Sequence, residues 1–279
     1  RHSACPARTP MEWCTVCHSG VMRKPALPTG DAPSPHSCRP HRFVRRHRAV
    51  GAGLSGEERR ARLAEARLYV CTGLQDFLDD GALDADAFSA FVTACYSGGV
   101  DIIQVRDKSV DAAVELEALH LLVALAAEHR ALSAANDRAD LAALAGVDVF
   151  HTGQSDLNTQ QCRALLGPDV LLGRSCRTRA QVDAARAEAG LDYFCTGPVW
   201  PTPTKPGRAA VGLELPAYAA WRAREDGNAR PFFAIGGIDV DRLPTVLETG
   251  AERVAVVRAV TDAEEPDEAA ARLRDLLPR

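Results

Sequence analysis

The sequence contains no apolar run that approaches the roughly 18–20 residues needed to cross a membrane as a helix. Its first residues also lack the secretory pattern of a charged segment, an apolar segment and a small-residue cleavage site. We therefore expect a cytoplasmic protein with no membrane partner. Hydrophobic residues make up 46% of the 279 residues, which is enough for a sizeable core.

The sequence also has no large excess of charge of one sign, since its formal net charge is only −4. This balance argues against a nucleic-acid partner, since such proteins usually carry a marked positive charge. The basic residues are concentrated near the start, and residues 41–48 read HRFVRRHR. This run is more typical of a solvated basic tail than of a phosphate-binding surface.

A disulfide framework is not indicated. The nine cysteines are odd in number and scattered along a long chain. In the absence of a secretion signal, this distribution is typical of reduced thiols. No cysteine stands with a histidine in a nucleophilic arrangement, and Cys176 and Cys195 are expected to be small core residues.

Residues 1–61 differ in composition from the rest of the chain. They are rich in Pro, Arg, His and Ser and show neither the strand period nor the helix period. We expect a disordered N-terminal extension, followed by one domain over residues 62–279. Cys14, Cys17, Cys38 and His41 form two pairs with the spacing of a structural zinc site. Chance, in a segment enriched in Cys and His, is the favoured alternative.

From about residue 62 onward, short β-rich runs alternate with segments of helical spacing such as 114–130 and 178–190. Eight such units over about 215 residues match a closed parallel (β/α)8 TIM barrel. An open doubly wound sheet usually carries G-x-G-x-x-G after its first strand, and CTGLQDF at 71–77 does not. The predicted strands are 67–72, 101–106, 132–136, 147–151, 170–175, 192–197, 231–237 and 252–257.

Polar side chains follow the predicted strands at their carboxyl ends, where (β/α)8 enzymes have their active sites. Gln104, Arg106 and Lys108 alternate along one strand, so we expect them to share the face that points into the barrel. Arg106, Lys108 and Lys205 would together form an anion site suited to a diphosphate. Pairing of the three inward side chains with internal carboxylates is the alternative.

A proline-rich loop, GPVWPTPTKPG, spans residues 197–207 after the sixth predicted strand. Each proline removes a backbone donor and restricts φ, so neither a helix nor a strand can form there. The loop would therefore hold the side chains of Thr202, Thr204 and Lys205 stiffly near the mouth of the barrel.

Two aspartates, Asp137 and Asp156, follow neighbouring predicted strands. Mg²⁺ characteristically binds one or two carboxylates together with phosphate oxygens and water. Either aspartate alone is more typical of an N-cap of the following helix. Because both lie beside a basic mouth, a Mg²⁺ site is the favoured interpretation.

A second phosphate site is indicated on the far side of the barrel. AIGGI at 234–238 and AVVRAV at 255–260 follow the seventh and eighth strands, where barrel enzymes often bind phosphate through backbone N–H groups. Gly236 and Gly237 would let the backbone approach closely. Gln104 and Asn136 suit the edge of a heterocycle. These features indicate an enzyme that joins a diphosphate ester to a phosphate ester.

The motifs in residues 63–279 are IIQVRDK, NDRADLA, HTGQSDL, GRSC, TGPVWPTPTKPG, AIGGI and GAERVAVVRAV. In this order and at these strand ends they closely resemble the thiamine-phosphate synthase family. The resemblance implies a (β/α)8 transferase with two small-molecule substrates, 4-amino-2-methyl-5-(diphosphooxymethyl)pyrimidine and plain or carboxylated 4-methyl-5-(2-phosphooxyethyl)thiazole. The implied products are thiamin phosphate and diphosphate. The implied chemistry is dissociative, with diphosphate leaving before the thiazole nitrogen attacks.

The resemblance also implies a role for each site residue. Mg²⁺ would be bound by Asp137 and Asp156. The groups expected to hold the pyrimidine or its diphosphate are Gln104, Arg106, Lys108, Asn136, Ser175 and Lys205, of which Arg106, Lys108 and Lys205 would be catalytic. The residues expected at the thiazole phosphate are Thr202, Thr204, Gly237, Val257 and Arg258.

Three positions depart from the family pattern. Asp107 stands where the family usually has the longer glutamate. Arg177 stands where many relatives have histidine, and Arg258, after Val257, stands where a small residue is common. A thiazole tautomerase, which would use that histidine as a base, is one alternative function, and a non-catalytic thiamin-phosphate-binding barrel is another. The sequence leaves open the preferred thiazole form and whether the chain forms a homo-oligomer.

Overall fold

The computed structural model describes residues 53–202, 209–226 and 230–279. Within these ranges, eight parallel strands close into a barrel surrounded by helices, which confirms the predicted (β/α)8 fold. The zinc pattern, and with it residues 1–52, lies outside the described residues. No helix in the described ranges is long and apolar enough to cross a membrane.

The strands match the predicted runs to within one or two residues, and a short antiparallel hairpin of β2 and β3 precedes the second barrel strand. The strands are β1 (Leu68–Thr72), β2 (Leu78–Asp79), β3 (Ala82–Leu83), β4 (Ile102–Val105), β5 (Leu132–Asn136), β6 (Val149–Thr152), β7 (Leu171–Cys176), β8 (Tyr193–Thr196), β9 (Phe232–Ile235) and β10 (Val254–Val256). The barrel order is β1, β4, β5, β6, β7, β8, β9, β10 and back to β1.

Helices follow the barrel strands, and local sequence sets several of their ends. Ser55 and Glu58 form a capping box at the first helix, and Asn158 and Gln161 form another at the fifth. Gly146 ends the fourth helix in the left-handed conformation that glycine adopts without strain. The helices are α1 (Gly56–Glu65), α2 (Ala85–Ser97), α3 (Ala112–His129), α4 (Ala139–Ala145), α5 (Thr159–Leu166), α6 (Arg179–Ala187), α7 (Glu214–Asp226), α8 (Leu243–Glu248), α9 (Arg258–Thr261) and α10 (Pro266–Leu276).

The hydrophobic core has two layers, as alternation along buried strands requires. One layer fills the space between the barrel and the helices. The other fills the barrel interior, where Tyr69, Ile102, Leu132, Val149, Leu171, Tyr193 and Phe233 are buried together. The barrel interior is therefore a packed core.

Aspartates precede three alternate barrel strands at the amino end. Each carboxylate accepts a hydrogen bond from a backbone N–H at the start of the preceding strand, with N···O distances of 2.8–3.0 Å. The pairs are Asp101 with Leu68, Asp148 with Ser133, and Asp192 with Leu172. A bond of this kind holds neighbouring strands in one register.

An arginine from outside the barrel neutralises each of these carboxylates. The ion pairs are Arg274 with Asp101 at 3.0 Å, Arg59 with Asp148 at 2.9 Å, and Arg163 with Asp192 at 2.5 Å. The Arg59 and Asp148 side chains are only 11% and 12% exposed. Removing one partner of such a pair would leave an uncompensated charge in a poorly solvated place.

Helix α1 packs at the amino end of the barrel. Leu63 on this helix and Ala66 just after it join the buried cluster of the barrel interior. Arg59 reaches Asp148 from the same helix. Helix α1 begins before residue 62, where the sequence placed the start of the domain, and it shares the core of the barrel. Its polar, Arg-rich sequence hides the few side chains that it buries.

Asp107 joins two loops at the carboxyl end of the barrel. Its carboxylate accepts hydrogen bonds from the Leu74 amide at 3.0 Å, from Gln75 at 3.2 Å and from the Ser109 amide and hydroxyl at 2.9 and 2.6 Å. Burial raises the pKa of Asp107, but the hydrogen bonds from Ser109, Leu74 and Gln75 outweigh it and lower this pKa to about 2. The loop after β1 is thereby fastened to the loop after β4.

We expect Asp107→Asn to lower the free energy of unfolding at pH 7 by about 1 kcal/mol, allowing for solvent screening of a partly exposed group. A depressed folded-state pKa contributes stability above the ordinary pKa of an aspartate and loses it as the pH falls towards 2. Urea unfolding at pH 7, 5, 4 and 3 should show a constant difference from wild type that shrinks only below about pH 4.

Asp111→Asn is the matched control, because Asp111 precedes α3 without a side-chain capping bond. Equal losses in the two variants would contradict the assignment of the stability to the loop contacts of Asp107.

Gly173 on β7 leaves room for the ring of Tyr193 on the neighbouring strand β8. A methyl group at Gly173 would overlap the Tyr193 ring and its hydroxyl. The clash involves a side chain that is fully buried, so the ring has no open space to move into.

We expect Gly173→Ala to destabilise the fold by about 1–3 kcal/mol, the range for overpacking a dense core. Differential scanning calorimetry should show a lower Tm. Gly73→Ala is the control, because its added methyl group would lie 3.4 Å from the Asp107 carboxylate, an ordinary contact. An unchanged Tm for Gly173→Ala would contradict tight packing around Tyr193.

Candidate active site

Two adjoining cavities open at the carboxyl end of the barrel. The larger, of about 290 Å³, lies among the segments that follow β7, β8, β9 and β10. The smaller, of about 40 Å³, lies deeper, over the interior ends of the strands. We call them the outer cavity and the central cavity. Their shared wall consists of Ser175, Cys195, Ile235, Ala255 and Val257.

The central cavity is lined by polar side chains from three strands of the barrel, β4, β5 and β7. Gln104 and Arg106 come from β4 and its end, Asn136 from β5 and Ser175 from β7. Gln104 is 3% exposed and Asn136 is 8% exposed. The guanidinium of Arg106 makes no ion pair or hydrogen bond with any described residue. The alternative that this side chain pairs with a carboxylate inside the barrel therefore finds no support among the described residues. A mostly buried cation at the mouth is thus available to an anionic ligand.

Lys108 does not line either cavity, contrary to the inward direction expected from alternation. Strand β4 ends at Val105, and beyond it the backbone no longer alternates. The Lys108 ammonium pairs with the Asp137 carboxylate at 2.5 Å, and the lysine side chain is 63% exposed. An ion pair this exposed contributes little to stability, so either partner can exchange it for a ligand.

The two aspartates proposed for metal binding lie just beyond β5 and β6. Asp137 has a positive φ of 61°, and its amide donates to the His151 carbonyl at 3.1 Å. The Asp156 carboxylate accepts from the Gly153 amide at 2.7 Å. The N-caps of the following helices are Arg138 and Asn158, so the alternative that these aspartates cap helices is wrong for both.

Metal-binding groups of three or more His, Cys, Asp or Glu side chains are absent from the described ranges. A cation at Asp137 and Asp156 would therefore depend on ligand oxygens and water for its remaining contacts. This is the mode of binding that suits Mg²⁺ beside a phosphate group.

The outer cavity is bounded by backbone with positive φ. Gly236 has φ of 109° and Gly237 has φ of 69°. A Cβ at Gly236 would lie 2.5 Å from Pro198, and one at Gly237 would lie 2.8 Å from the Trp200 Cβ. Only glycine allows this approach of the β9 end to the loop after β8, which begins with the cis Gly197–Pro198 peptide bond.

Several cationic side chains line the same cavity. Arg258 at the start of α9 is exposed, and it makes no ion pair with any residue in the described ranges. Arg242 donates to the Gly237 carbonyl at 2.9 Å and stacks over the Trp200 ring at 5.3 Å. Thr202 and Val257 complete the part of the wall that the sequence predicted. The predicted Thr204 and Lys205 lie outside the described residues.

Arg177 lies in the wall of the outer cavity, where the tautomerase alternative expects a histidine. Its Nε is buried and has no hydrogen-bond partner in the described ranges, and its Nη2 reaches the Ala209 carbonyl at 3.5 Å. A guanidinium stays protonated in proteins and cannot accept a proton from a substrate.

Sequence analysis assigned no role to Tyr69, Tyr193 or His151. Tyr69 and His151 line the central cavity, and both tyrosines are fully buried inside the barrel. The Gln104 amide donates to the Tyr69 hydroxyl at 2.6 Å, and the Tyr69 and Tyr193 hydroxyls are 3.2 Å apart. His151 Nδ1 lies 3.0 Å from the Tyr193 hydroxyl, and its Nε2 lies 2.9 Å from the Ser175 hydroxyl.

These contacts form a continuous hydrogen-bond chain across the barrel from Gln104 to Ser175. The sequence offers little indication of this chain, because a tyrosine in an otherwise apolar strand is usually interpreted as a core residue. The hydroxyl of each tyrosine finds its partners only on other strands.

The described cysteines, Cys71, Cys95, Cys162, Cys176 and Cys195, are buried thiols outside any disulfide. Burial raises the pKa of the Cys95 and Cys176 thiols to about 12. Neither thiol is therefore suited to act as a nucleophile. The described part of the site offers cations, amides and hydroxyls, which are groups that bind and stabilise charge.

The chain is similar to known thiamine-phosphate synthases over most of its length. A family model described as thiamine monophosphate synthase matches residues 68–260. A thiamine-phosphate synthase of Saccharopolyspora erythraea is 49% identical over 230 residues, which cover 81% of this chain and 99% of that protein. A thiamine-phosphate synthase of Streptomyces avermitilis is 50% identical over 211 residues, covering 76% of this chain and 93% of the relative.

A solved structure leads to the same family. The thiamine phosphate pyrophosphorylase from Pyrococcus furiosus superposes with a TM-score of 0.64 at 28% identity, covering 77% of this chain and 96% of that chain. With a matching family model and relatives at about half identity over nearly their full length, the chain belongs to the thiamine monophosphate synthase family.

Proposed function

We propose that this chain is a thiamine-phosphate synthase, a transferase that joins the pyrimidine diphosphate to the thiazole phosphate and releases diphosphate. The observation that carries the proposal is the pair of adjoining cavities. One offers Gln104, Arg106 and Asn136 to an anionic heterocycle, and the other offers a glycine-lined wall with Arg258 to a second phosphate. The shared wall lets the reactive ends of two bound molecules meet.

In the proposed reaction, the bond between the pyrimidine methylene and the diphosphate oxygen breaks, and both electrons leave with diphosphate. The thiazole nitrogen then donates its lone pair to the methylene carbon. Arg106, Lys108 and Lys205 bind the diphosphate and stabilise the charge that develops on it. Because charge stabilisation suffices, the reaction needs no protein nucleophile, in agreement with the thiols of high pKa among the buried cysteines.

Mg²⁺ fits the donor set of Asp137 and Asp156, which are carboxylates beside an anion site and not helix caps. When bound, the ion would neutralise negative charge on the diphosphate. Asp137 is free to change partner because its ion pair with Lys108 is exposed. Lys108 would then turn its ammonium to the diphosphate.

The two alternative functions are disfavoured on chemical grounds. A tautomerase needs a general base, and Arg177 in the cavity wall cannot serve as one. A non-catalytic binding protein has no use for a second anion site that adjoins the first. The decisive assay mixes both substrates with Mg²⁺ and measures thiamin phosphate and diphosphate. Proton exchange of the thiazole without diphosphate release would contradict the proposal.

We expect Lys205→Ala to lower kcat by about 10²–10³-fold, the scale for loss of one preorganised electrostatic group. The ammonium acts mainly on the departing diphosphate, so the KM for the thiazole phosphate should change far less. Lys205→Arg should recover only part of the rate, because its planar fork does not replace a point charge. Thr202→Ala is the comparison variant, expected to raise the thiazole KM with a smaller effect on kcat. Steady-state kinetics at saturating concentrations of both substrates separate these results, and a normal kcat for Lys205→Ala would contradict this role.

We expect Asp137→Asn and Asp156→Asn each to weaken binding of the divalent ion by about 10-fold or more, because a neutral amide replaces a carboxylate ligand. Titration with Mn²⁺ in the presence of inorganic diphosphate, followed by electron paramagnetic resonance, measures this without turnover. Asp140→Asn is the control, since Asp140 pairs with Arg138 on the exposed side of α4. Unchanged Mn²⁺ affinity in both site variants would refute the metal assignment.

A further inference from the structure

The hydrogen-bond chain from Gln104 to Ser175 has a definite direction. The Gln104 amide nitrogen carries only donors, so the Tyr69 oxygen must accept from it. Either hydroxyl could donate across the 3.2 Å contact, and donation from Tyr69 is the arrangement that keeps its single proton within the chain. Tyr193 likewise has one proton, and its remaining neighbour in the chain is His151 Nδ1. With Tyr69 as the donor, Tyr193 therefore donates to Nδ1.

The direction extends through the imidazole ring to Ser175. If Tyr193 donates to it, Nδ1 of His151 accepts, and the neutral ring then carries its proton on Nε2. Nε2–H then donates to the Ser175 oxygen, 2.9 Å away. The Ser175 proton is then not used within the chain, so it is available to a ligand in the cavities that this side chain lines.

Both tyrosines are held as neutral phenols. Burial raises the pKa of Tyr69 and of Tyr193 well above the ordinary value. The hydrogen bond between them raises the pKa of Tyr69 and lowers that of Tyr193, which agrees with Tyr69 as the donor. A neutral phenol has one proton to give, so the chain cannot donate at both of its ends.

The two ends of the chain therefore present opposite groups to the central cavity. At one end the Gln104 carbonyl oxygen makes no hydrogen bond with any described residue and is available as an acceptor. At the other end the Ser175 hydroxyl is a donor. A ligand that touches both must offer a donor to Gln104 and an acceptor to Ser175.

We propose that this chain makes the site selective for an amino-substituted heterocycle over its oxo analogue, with Tyr69, Tyr193 and His151 as positioning residues. The proposal rests on the proposed function, in which the pyrimidine carries a 4-amino group. An amino group donates to the Gln104 oxygen. An oxo group in the same place would set two acceptors against each other in a buried position.

The first test measures the tautomer of His151 and needs no turnover. In protein labelled with ¹⁵N at histidine, ring shifts distinguish the Nε2–H form from the Nδ1–H form, and His151→Gln identifies the His151 signals. Wild type should show the Nε2–H form. Tyr193→Phe removes the donor to Nδ1 and should move His151 to the other tautomer or to a mixture. An Nδ1–H form in wild type, or an unchanged tautomer in Tyr193→Phe, would overturn the proposal.

The second test measures selectivity. The ratio of kcat/KM for the 4-amino pyrimidine diphosphate to that for its 4-oxo analogue should be about 100-fold or more in wild type, as expected for a site that hydrogen-bonds a substrate amine. Tyr193→Phe and Tyr69→Phe should each lower this ratio by about 10-fold. Either change removes a hydroxyl from the hydrogen-bond chain, so the chain no longer holds its end groups in one orientation. Equal losses of kcat/KM for both substrates would overturn the proposal.

Tyr96→Phe is the matched control. Tyr96 is also a buried tyrosine, but its hydroxyl donates to the Leu132 carbonyl at 3.0 Å and takes no part in the chain. This variant should lose stability and keep both the selectivity ratio and the tautomer. A ratio that falls as far in Tyr96→Phe would show a general loss of packing and overturn the proposal. Absence of synthesis by wild type would instead refute the proposed function. The tautomer measurement would still show whether the hydrogen-bond chain runs in the proposed direction.

Discussion

The bonds from Asp101, Asp148 and Asp192 to backbone N–H groups hold the amino end of the barrel in register, and the site depends on that register. A slip of one residue would turn every inward side chain outward. Gln104, Asn136 and Ser175 lie on three strands and line one cavity only while all three strands keep their pairing. The arginines paired with these aspartates come from α1, α5 and α10, so the surrounding helices also support the register.

The barrel interior combines packing with polarity. Its lower part is filled by aliphatic side chains, and its upper part contains the hydroxyl and imidazole groups of the Gln104–Ser175 chain. The hydroxyl and imidazole groups of this chain are tolerated because each forms a hydrogen bond to a side chain on another strand. The aromatic rings of Tyr69, Tyr193 and Phe233 pack edge to face or tilted, with centroids 5.5–6.2 Å apart, so the hydroxyl groups are held by rigid neighbours.

The outer cavity is built differently, from backbone and long cationic side chains. Glycines at 236 and 237 bring the end of β9 against the loop after β8. Arg242 then fastens that contact through the Gly237 carbonyl and the Trp200 ring. A rigid central cavity for the heterocycle and a backbone-lined cavity for the second phosphate suit a reaction in which two substrates must meet in one orientation.

The sequence alone determined the eight strands, the helices between them and the rim on which the polar side chains lie, because hydrophobic periodicity and turn residues report local backbone geometry. Its motifs also determined the family. Only the tertiary structure decided the partners of Asp107, the place of α1 at the barrel floor and the outward turn of Lys108. It alone joined Tyr69 to Tyr193, which are 124 residues apart. Such contacts depend on how the closed barrel brings distant strands together and on the volumes of the side chains between them, and neither quantity is encoded in a local pattern.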